Sequence, residues 1–208
     1  IPTLQSAFSE LGGDERFPTA FVDIRDFEAT AVEISRLQPD LVFHLAAQSL
    51  VRPSYSAPIA TWGTNVMGTL HVLEAVRRTG SVTGCAVISS DKCYENAEKP
   101  EYAYSEKDRL GGKDPYSASK AGTELVFKSH FESYFRKSET RLLSFRAGNV
   151  LGGGDYAIDR IVPDCIRAMQ EKKPVTIRSP HATRPWQHVL EPLGGYLLAM
   201  ARASEGAV

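Results

Sequence analysis

The chain has 208 residues, 42% of them hydrophobic and 24% charged, and its 24 basic and 25 acidic residues leave a formal charge of −1. That balance supports a sizeable core, excludes disordered, collagen-like and low-complexity classes, and offers no basic footprint for nucleic acid. No apolar stretch approaches the roughly 18 residues of a membrane span, and Ile1-Pro2-Thr3-Leu4-Gln5 lacks signal-peptide character.

In chain order, residues 20–24 read as a short strand with Asp23 near its end, and Asp26 stands at a helix N-cap ahead of Phe27, Ala31 and Ile34 at helical spacing. Pro39 ends that helix, and the apolar run 41–47 is short enough for a buried strand. Trp62, Val66, Leu70 and Leu73 mark the expected buried face of a long helix over 58–78, closed by Gly80. Residues 84–90 form the next strand, 115–137 a helix, 142–147 a strand, 158–172 a helix and 175–178 a strand. Alternating strands and helices of this kind predict an α/β fold, a Rossmann-like doubly wound parallel sheet covered by helices. In such sheets ligands bind beyond the carboxyl ends of the strands, where Asp23, Gln48, Ser90-Asp91-Lys92 and Asn149 all fall.

Tyr116 and Lys120 are four apart on a predicted helix and so share a face. An ammonium near a phenol favours phenolate and lets tyrosine act as a base. The pair alone is a weak signal, since a solvated helix face has the same spacing. Ser89-Ser90-Asp91-Lys92, directly after an apolar strand, adds a hydroxyl, an acid and an amine, although an Asx turn explains the same residues. Arg184-Pro185-Trp186-Gln187-His188 brings a forked donor beside an aromatic, suited to a diphosphate or a base, or else to an arginine packed over tryptophan. The glycine-rich stretch 148–154 matches neither a P-loop nor G-x-G-x-x-G and reads as a substrate loop or a plain turn. Cys85, Cys93 and Cys165 have no metal-ligand or disulfide-framework spacing, which points to no metal and to a cytoplasmic protein.

Together these residues resemble the extended short-chain dehydrogenase/reductase family, in its nucleotide-sugar modifying branch. The likeness runs through Asp23-Ile24-Arg25-Asp26, Phe43-His44-Leu45-Ala46-Ala47-Gln48, Thr64-Asn65-Val66-Met67-Gly68-Thr69, Ser90-Asp91-Lys92-Cys93-Tyr94-Glu95-Asn96, Asp114-Pro115-Tyr116-Ser117-Ala118-Ser119-Lys120 and Arg184-Pro185-Trp186-Gln187-His188-Val189. Within the branch it is nearest to the 4,6-dehydratase group acting on CDP-glucose. The resemblance implies an internal redox elimination with NAD giving CDP-4-keto-6-deoxyglucose. Ser90, Asp91, Lys92, Tyr116 and Lys120 would be catalytic. Tyr116 would take the C4 hydroxyl proton, and Asp91 and Lys92 would serve as acid and base for loss of water, in an order the residues leave open. Asp23 and Ile24 would meet adenosine, with Leu45, Ala46, Ala47, Gln48, Tyr116 and Lys120 around the cofactor. Asn149, Arg184 and His188 would hold the nucleotide-sugar substrate. A homo-oligomer is the family expectation, with neither nucleic acid nor membrane as partner.

The family's first strand, glycine-rich turn and second strand are expected ahead of Ile1, and the substrate-binding part is expected to run beyond Val208. The chain therefore reads as an internal portion, with residues 1–150 as an incomplete dinucleotide-binding domain and 151–208 as a partial substrate-binding region. An incomplete parallel sheet exposes unpaired strand edges, so poor stability or association of this portion alone is expected. Two alternatives use the same residues: a nucleotide-sugar epimerase or reductase, which needs no acid and base for water loss, and a non-catalytic dinucleotide-binding scaffold.

Overall fold

Short aliphatic runs can be buried only when their backbone donors and acceptors are paired. In the computed structural model, which describes residues 12–96, 98–99 and 101–206, β1 (Leu41–His44), β2 (Gly84–Ile88) and β3 (Arg141–Phe145) do this as a parallel sheet in that order. Leu41 lies opposite Gly84, and Gly84 opposite Arg141. Parallel pairing demands a crossover. Between β1 and β2 the chain supplies α3 (Val51–Ser56), α4 (Pro58–Trp62) and α5 (Gly68–Arg78), and between β2 and β3 it supplies α6 (Pro115–His130). A short α1 (Gly13–Arg16) and a longer α2 (Phe27–Leu37) precede the sheet.

Asp26 opens α2 as its composition predicts, its carboxylate accepting from Ala29 N at 3.0 Å. The helix ends not on glycine but on Gln38, which takes a left-handed φ of 45° before Pro39. Val72, Leu73 and Val76 of α5 close the core over Val82, Cys85, Val87 and Leu142, with Phe135 from the segment after α6.

The chain divides into two compact units, one built on Val22–Ala147 and most of the last helix, the other on Gly148–Pro192. In the second, β4 (Asn149–Leu151) pairs in parallel with β5 (Trp186–His188), and α7 (Ile161–Gln170) lies between them in sequence. The last helix, α8 (Leu190–Ser204), returns to the larger unit, where the Tyr196 ring packs tilted against Phe145 with centroids 4.8 Å apart.

Several sequence expectations are corrected. Residues 20–24 and 175–178 form no strand. Neither finds a ladder partner among the described residues, and Phe21 and Ile177 are exposed. β4 and β5 escape the sequence because a three-residue strand carries no readable period. β1 stops at His44, α7 is shorter at both ends than 158–172, and α3 was not expected. The long helix over 58–78 is interrupted by a π-helical turn, Gly63–Met67, in which Gly68 N–H donates to Gly63 O five residues back. A second π-helical turn, Phe131–Phe135, follows α6. α5 ends at Arg78 with Thr79 in extended conformation, so Gly80 is not its left-handed cap. The residues before Gly12, to which the N-terminal expectations refer, lie outside the described residues.

Gly112 is a point of close approach: a Cβ there would sit 2.3 Å from Ala118 N and 2.5 Å from Ser117 C in the first turn of α6. A Cβ on Gly194, inside α8, would meet nothing within 4 Å. Gly112→Ala is therefore expected to lower unfolding free energy by about 1–3 kcal/mol through overpacking. Gly194→Ala is expected to raise it by about 0.5–1 kcal/mol through helix propensity. Paired denaturant melts check both signs, and an unchanged Gly112→Ala would refute the contact.

Candidate active site

The start of α6 is fixed by a cap and a proline. Asp114 accepts from Ser117 N at 3.0 Å and from Ser117 Oγ at 2.7 Å, and Pro115 occupies the first turn, where its missing N–H costs nothing. Tyr116 N–H donates to Ser54 Oγ of α3 at 3.1 Å. Tyr116 and Lys120 are then both buried, 8% and 5% exposed, one turn apart on a single helix. Lys120 Nζ donates to the carbonyl of Ile88, the last residue of β2, at 3.2 Å. Burial pulls the Lys120 ammonium down to about 8, against the opposing attraction of Glu124.

Just past that carbonyl the chain makes a single 3₁₀ turn, Asp91–Cys93, which packs on α6. Ser90 Oγ accepts from Lys92 N and donates to Asp91 Oδ1, both at 3.2 Å. Asp91 N–H donates to Ala147 O at 3.0 Å, tying the turn to the chain just after β3. Lys92 Nζ donates to both Asp91 oxygens, at 2.7 and 2.9 Å. Cys93 is fully buried, and burial pushes its thiol up to about 12. Ser89 Oγ is buried and has no hydrogen-bond partner among the described residues.

A buried polar seam supports this cluster, and its centre is Asn65, 2% exposed within the first π-helical turn. Its side chain accepts from Gln48 N at 2.8 Å and donates to Gln48 O at 3.0 Å, as a paired strand would. It also donates to Ser119 Oγ at 2.8 Å, and Ser119 in turn donates to Tyr116 O at 2.7 Å. The Asn65 carbonyl accepts from Thr69 Oγ1 at 2.7 Å and from Thr123 Oγ1 at 2.8 Å. Because the Thr69 proton is committed there, the 3.0 Å contact to His44 Nε2 makes Thr69 the acceptor and His44 the Nε2–H tautomer. Burial first, then the charge of Lys120, hold His44 down to about 4.

The remaining sequence candidates fall into two groups. Leu45, Ala46, Ala47 and Gln48 follow the carboxyl end of β1, with Leu45 exposed and Gln48 half-buried, its Nε2 on Thr61 at 2.9 Å. Asp23 is exposed and chelated by Arg25 Nε at 3.0 Å, which holds its carboxyl at about 2. Ile24 packs against Gly68, where a Cβ would fall 2.5 Å from Ile24 Cδ1, and its carbonyl meets His71 Nδ1 at 2.9 Å. In the smaller unit, Asn149 opens β4 with its N–H on Pro185 O at 3.2 Å. His188 closes β5, with Nδ1 accepting from Leu190 N at 3.3 Å, and Arg184 is exposed.

The structure thus brings Ser90, Asp91, Lys92, Tyr116 and Lys120 together in the larger unit. Sequence reading missed Asn65, Ser119, Thr123 and Glu124, all buried and polar on helices. The signal for them was polar residues at helical spacing where an amphipathic reading assigns solvent.

The chain matches the family model of GDP-mannose 4,6 dehydratase over residues 5–207. It is 46% identical over 212 aligned residues to the CDP-glucose 4,6-dehydratase of Salmonella typhimurium, a match covering 99% of this chain and 59% of that protein. It is 30% identical to dTDP-glucose 4,6-dehydratase 1 of Escherichia coli over 62% of this chain and 40% of that one. Among solved structures, a dTDP-glucose 4,6-dehydratase from Streptomyces venezuelae with NAD bound superposes with a TM-score of 0.80 at 25% identity, covering 93% of this chain and 57% of that one. The Thermus thermophilus UDP-glucose 4-epimerase in complex with NAD gives 0.75 at 27% identity, over 86% and 58%. The chain thus spans well under two thirds of the length of the relatives it matches.

His44 generates a pH signature. Folded, it stays neutral down to about 4, whereas the unfolded chain protonates it near 6.5. The unfolded state therefore binds more protons in that window, and stability falls as pH drops from about 6.5 to about 4. Between pH 7 and pH 5 this one group accounts for about 2 kcal/mol. Denaturant melts at the two pH values are expected to show a smaller loss in His44→Asn than in the parent, and equal losses would refute the assignment.

Proposed function

The chain belongs to the GDP-mannose 4,6-dehydratase family, and from that premise we propose that it carries the reacting centre of a cytoplasmic, NAD-dependent nucleotide-sugar 4,6-dehydratase converting CDP-glucose to CDP-4-keto-6-deoxyglucose. The observation that carries this reading is the turn holding the Asp91–Lys92 pair, packed on the helix that buries Tyr116 and Lys120. A plain dehydrogenase or epimerase needs the helix pair but has no use for the acid and base.

The residues fit the cofactor at two points. Ser89 Oγ is an unmet buried oxygen at the carboxyl end of β2, where open α/β sheets bind ligands, and Lys120 is a buried ammonium beside a tyrosine on the same helix. Asp23 and Ile24 would hold adenosine, and residues 45–48 would line the cofactor crevice. When bound, NAD supplies a hydride acceptor that becomes the donor later in the same turnover.

The chain's own residues manage the protons. Tyr116 Oη takes the C4 hydroxyl proton, Lys120 stabilises the phenolate by its charge, and Ser90 Oγ orients the C4 oxygen. A ketone at C4 acidifies the C5 proton, because the enolate is stabilised. Asp91 and Lys92 then remove that proton and protonate the departing C6 hydroxyl, which leaves as water. With Lys92 as base and Asp91 as acid, the resting ion pair must first pass one proton from Nζ to the carboxylate along their 2.7 Å hydrogen bond. Asn149, Arg184 and His188 are assigned, on the resemblance, to the nucleotide and sugar diphosphate. The exposed Tyr55, Ile59 and Trp62 of α3 and α4, with Leu125 of α6, favour a second copy as partner in a homo-oligomer.

Incubation of the full-length protein with CDP-glucose and NAD is expected to yield a 4-keto-6-deoxy sugar without net NADH, and faster than with UDP- or dTDP-glucose. Tyr116→Phe is expected to cut the rate by about 10²–10⁴-fold. Asp91→Asn combined with Lys92→Met is expected to retain C4 oxidation, so NADH absorbance rises while no dehydrated product forms. Epimerised sugar without dehydration would move the assignment to an epimerase, and failure to bind NAD would leave a scaffold.

A further inference from the structure

Glu124 is a buried ionisable group that the proposed chemistry leaves unused. It lies one turn beyond Lys120 on α6, and the two are each 5% exposed. Its Oε1 accepts from Ser144 Oγ of β3 at 2.8 Å, and its Oε2 from Arg146 Nη2 at 2.7 Å. Arg146 also donates to Glu106 O at 3.3 Å and lies 5.0 Å from the Tyr94 ring, so the clamp reaches the segment that follows the Asp91–Cys93 turn.

The charges around Lys120 largely cancel. His44 from β1 is neutral and Cys93 from the packed turn keeps its proton, while Tyr116 on the same helix is the group whose charge changes in the proposed reaction. Asp91 and Lys92 neutralise each other at 2.7 Å. Among the described residues, the fixed negative charge one turn from Lys120 on the same helix is the carboxylate of Glu124, screened in part by Arg146 from beyond β3. A buried ammonium without a negative neighbour tends to shed its proton.

We propose that Glu124 is a positioning residue for the proposed reaction: clamped by Arg146 and Ser144, its carboxylate keeps the Lys120 ammonium charged and held to the Ile88 carbonyl beside Tyr116. Its consequence for turnover rests on the dehydratase reading, whereas its electrostatic content does not.

The test is a pH titration of the lysine ¹³Cε resonances in the full-length protein, with Lys120 assigned by its loss in Lys120→Met and no substrate present. Glu124→Gln is expected to lower the Lys120 midpoint by about one pH unit. Arg146→Met, which removes the screening charge, is expected to raise it, and Glu124→Asp to keep it near the parent value. In turnover, the alkaline limb of kcat/KM moves with the midpoint. Midpoints that stay fixed in Glu124→Gln and Arg146→Met while melting temperatures fall would overturn the proposal and leave an ordinary structural ion pair. If Glu124→Gln does not fold, a raised midpoint in Arg146→Met supports the coupling and an unmoved one refutes it. Moving midpoints in a protein without dehydratase activity would sink the proposed function and leave the coupling standing.

Discussion

The side chain of Asn65 is the tie on which the rest of the larger unit depends. An amide has two donors and an acceptor, and here they are spent on both backbone groups of Gln48 and on Ser119. That joins the loop leaving β1 to the face of α6 one residue before Lys120. Each bond is worth only about 1 kcal/mol net, but leaving a buried partner unmet costs about 1–3 kcal/mol. The seam is thus held more by the penalty for breaking it than by the gain from making it. Within the π-helical turn the Asn65 carbonyl also accepts from the hydroxyls of Thr69 and Thr123, which extends the tie along α5 and to α6.

This tie also marks the limit of what the sequence made legible. Apolar spacing put Trp62, Val66, Leu70 and Leu73 on the buried side of one helix. In the structure Thr61, Asn65 and Thr69 are buried there, Trp62 is 42% exposed, and only beyond Gly68 does the buried face become apolar with Val72, Leu73 and Val76. A periodicity argument counts burial by hydrophobicity, so it cannot see polar groups buried because they are mutually satisfied. The same blindness hid Glu124 and His44, the latter inside a run read as wholly apolar.

The elements that were legible are those whose local chemistry and long-range partners agree. Asp26 caps its helix and Pro115 opens its own, and the strands ending at His44, Ile88 and Phe145 align in one parallel sheet. The central candidates were readable because a strand end and a helix start each have a sequence signature, and the parallel sheet brings those two ends together. Residues 20–24 and 175–178 have strand-like composition, yet a strand is a pairing rather than a composition. β4 and β5 show the converse, pairing through backbone with little in their side chains to announce it.

The π-helical turn at Gly63–Met67 has a consequence of its own for the outer surface. One extra residue in a helix rotates everything after it by about 100° relative to an unbroken one. The segment before the turn, with Ile59 88% exposed, and the segment after it, with Leu73 fully buried, therefore keep separate angular phases. Substitutions on the outward side of the first half need not be matched by repacking in the second.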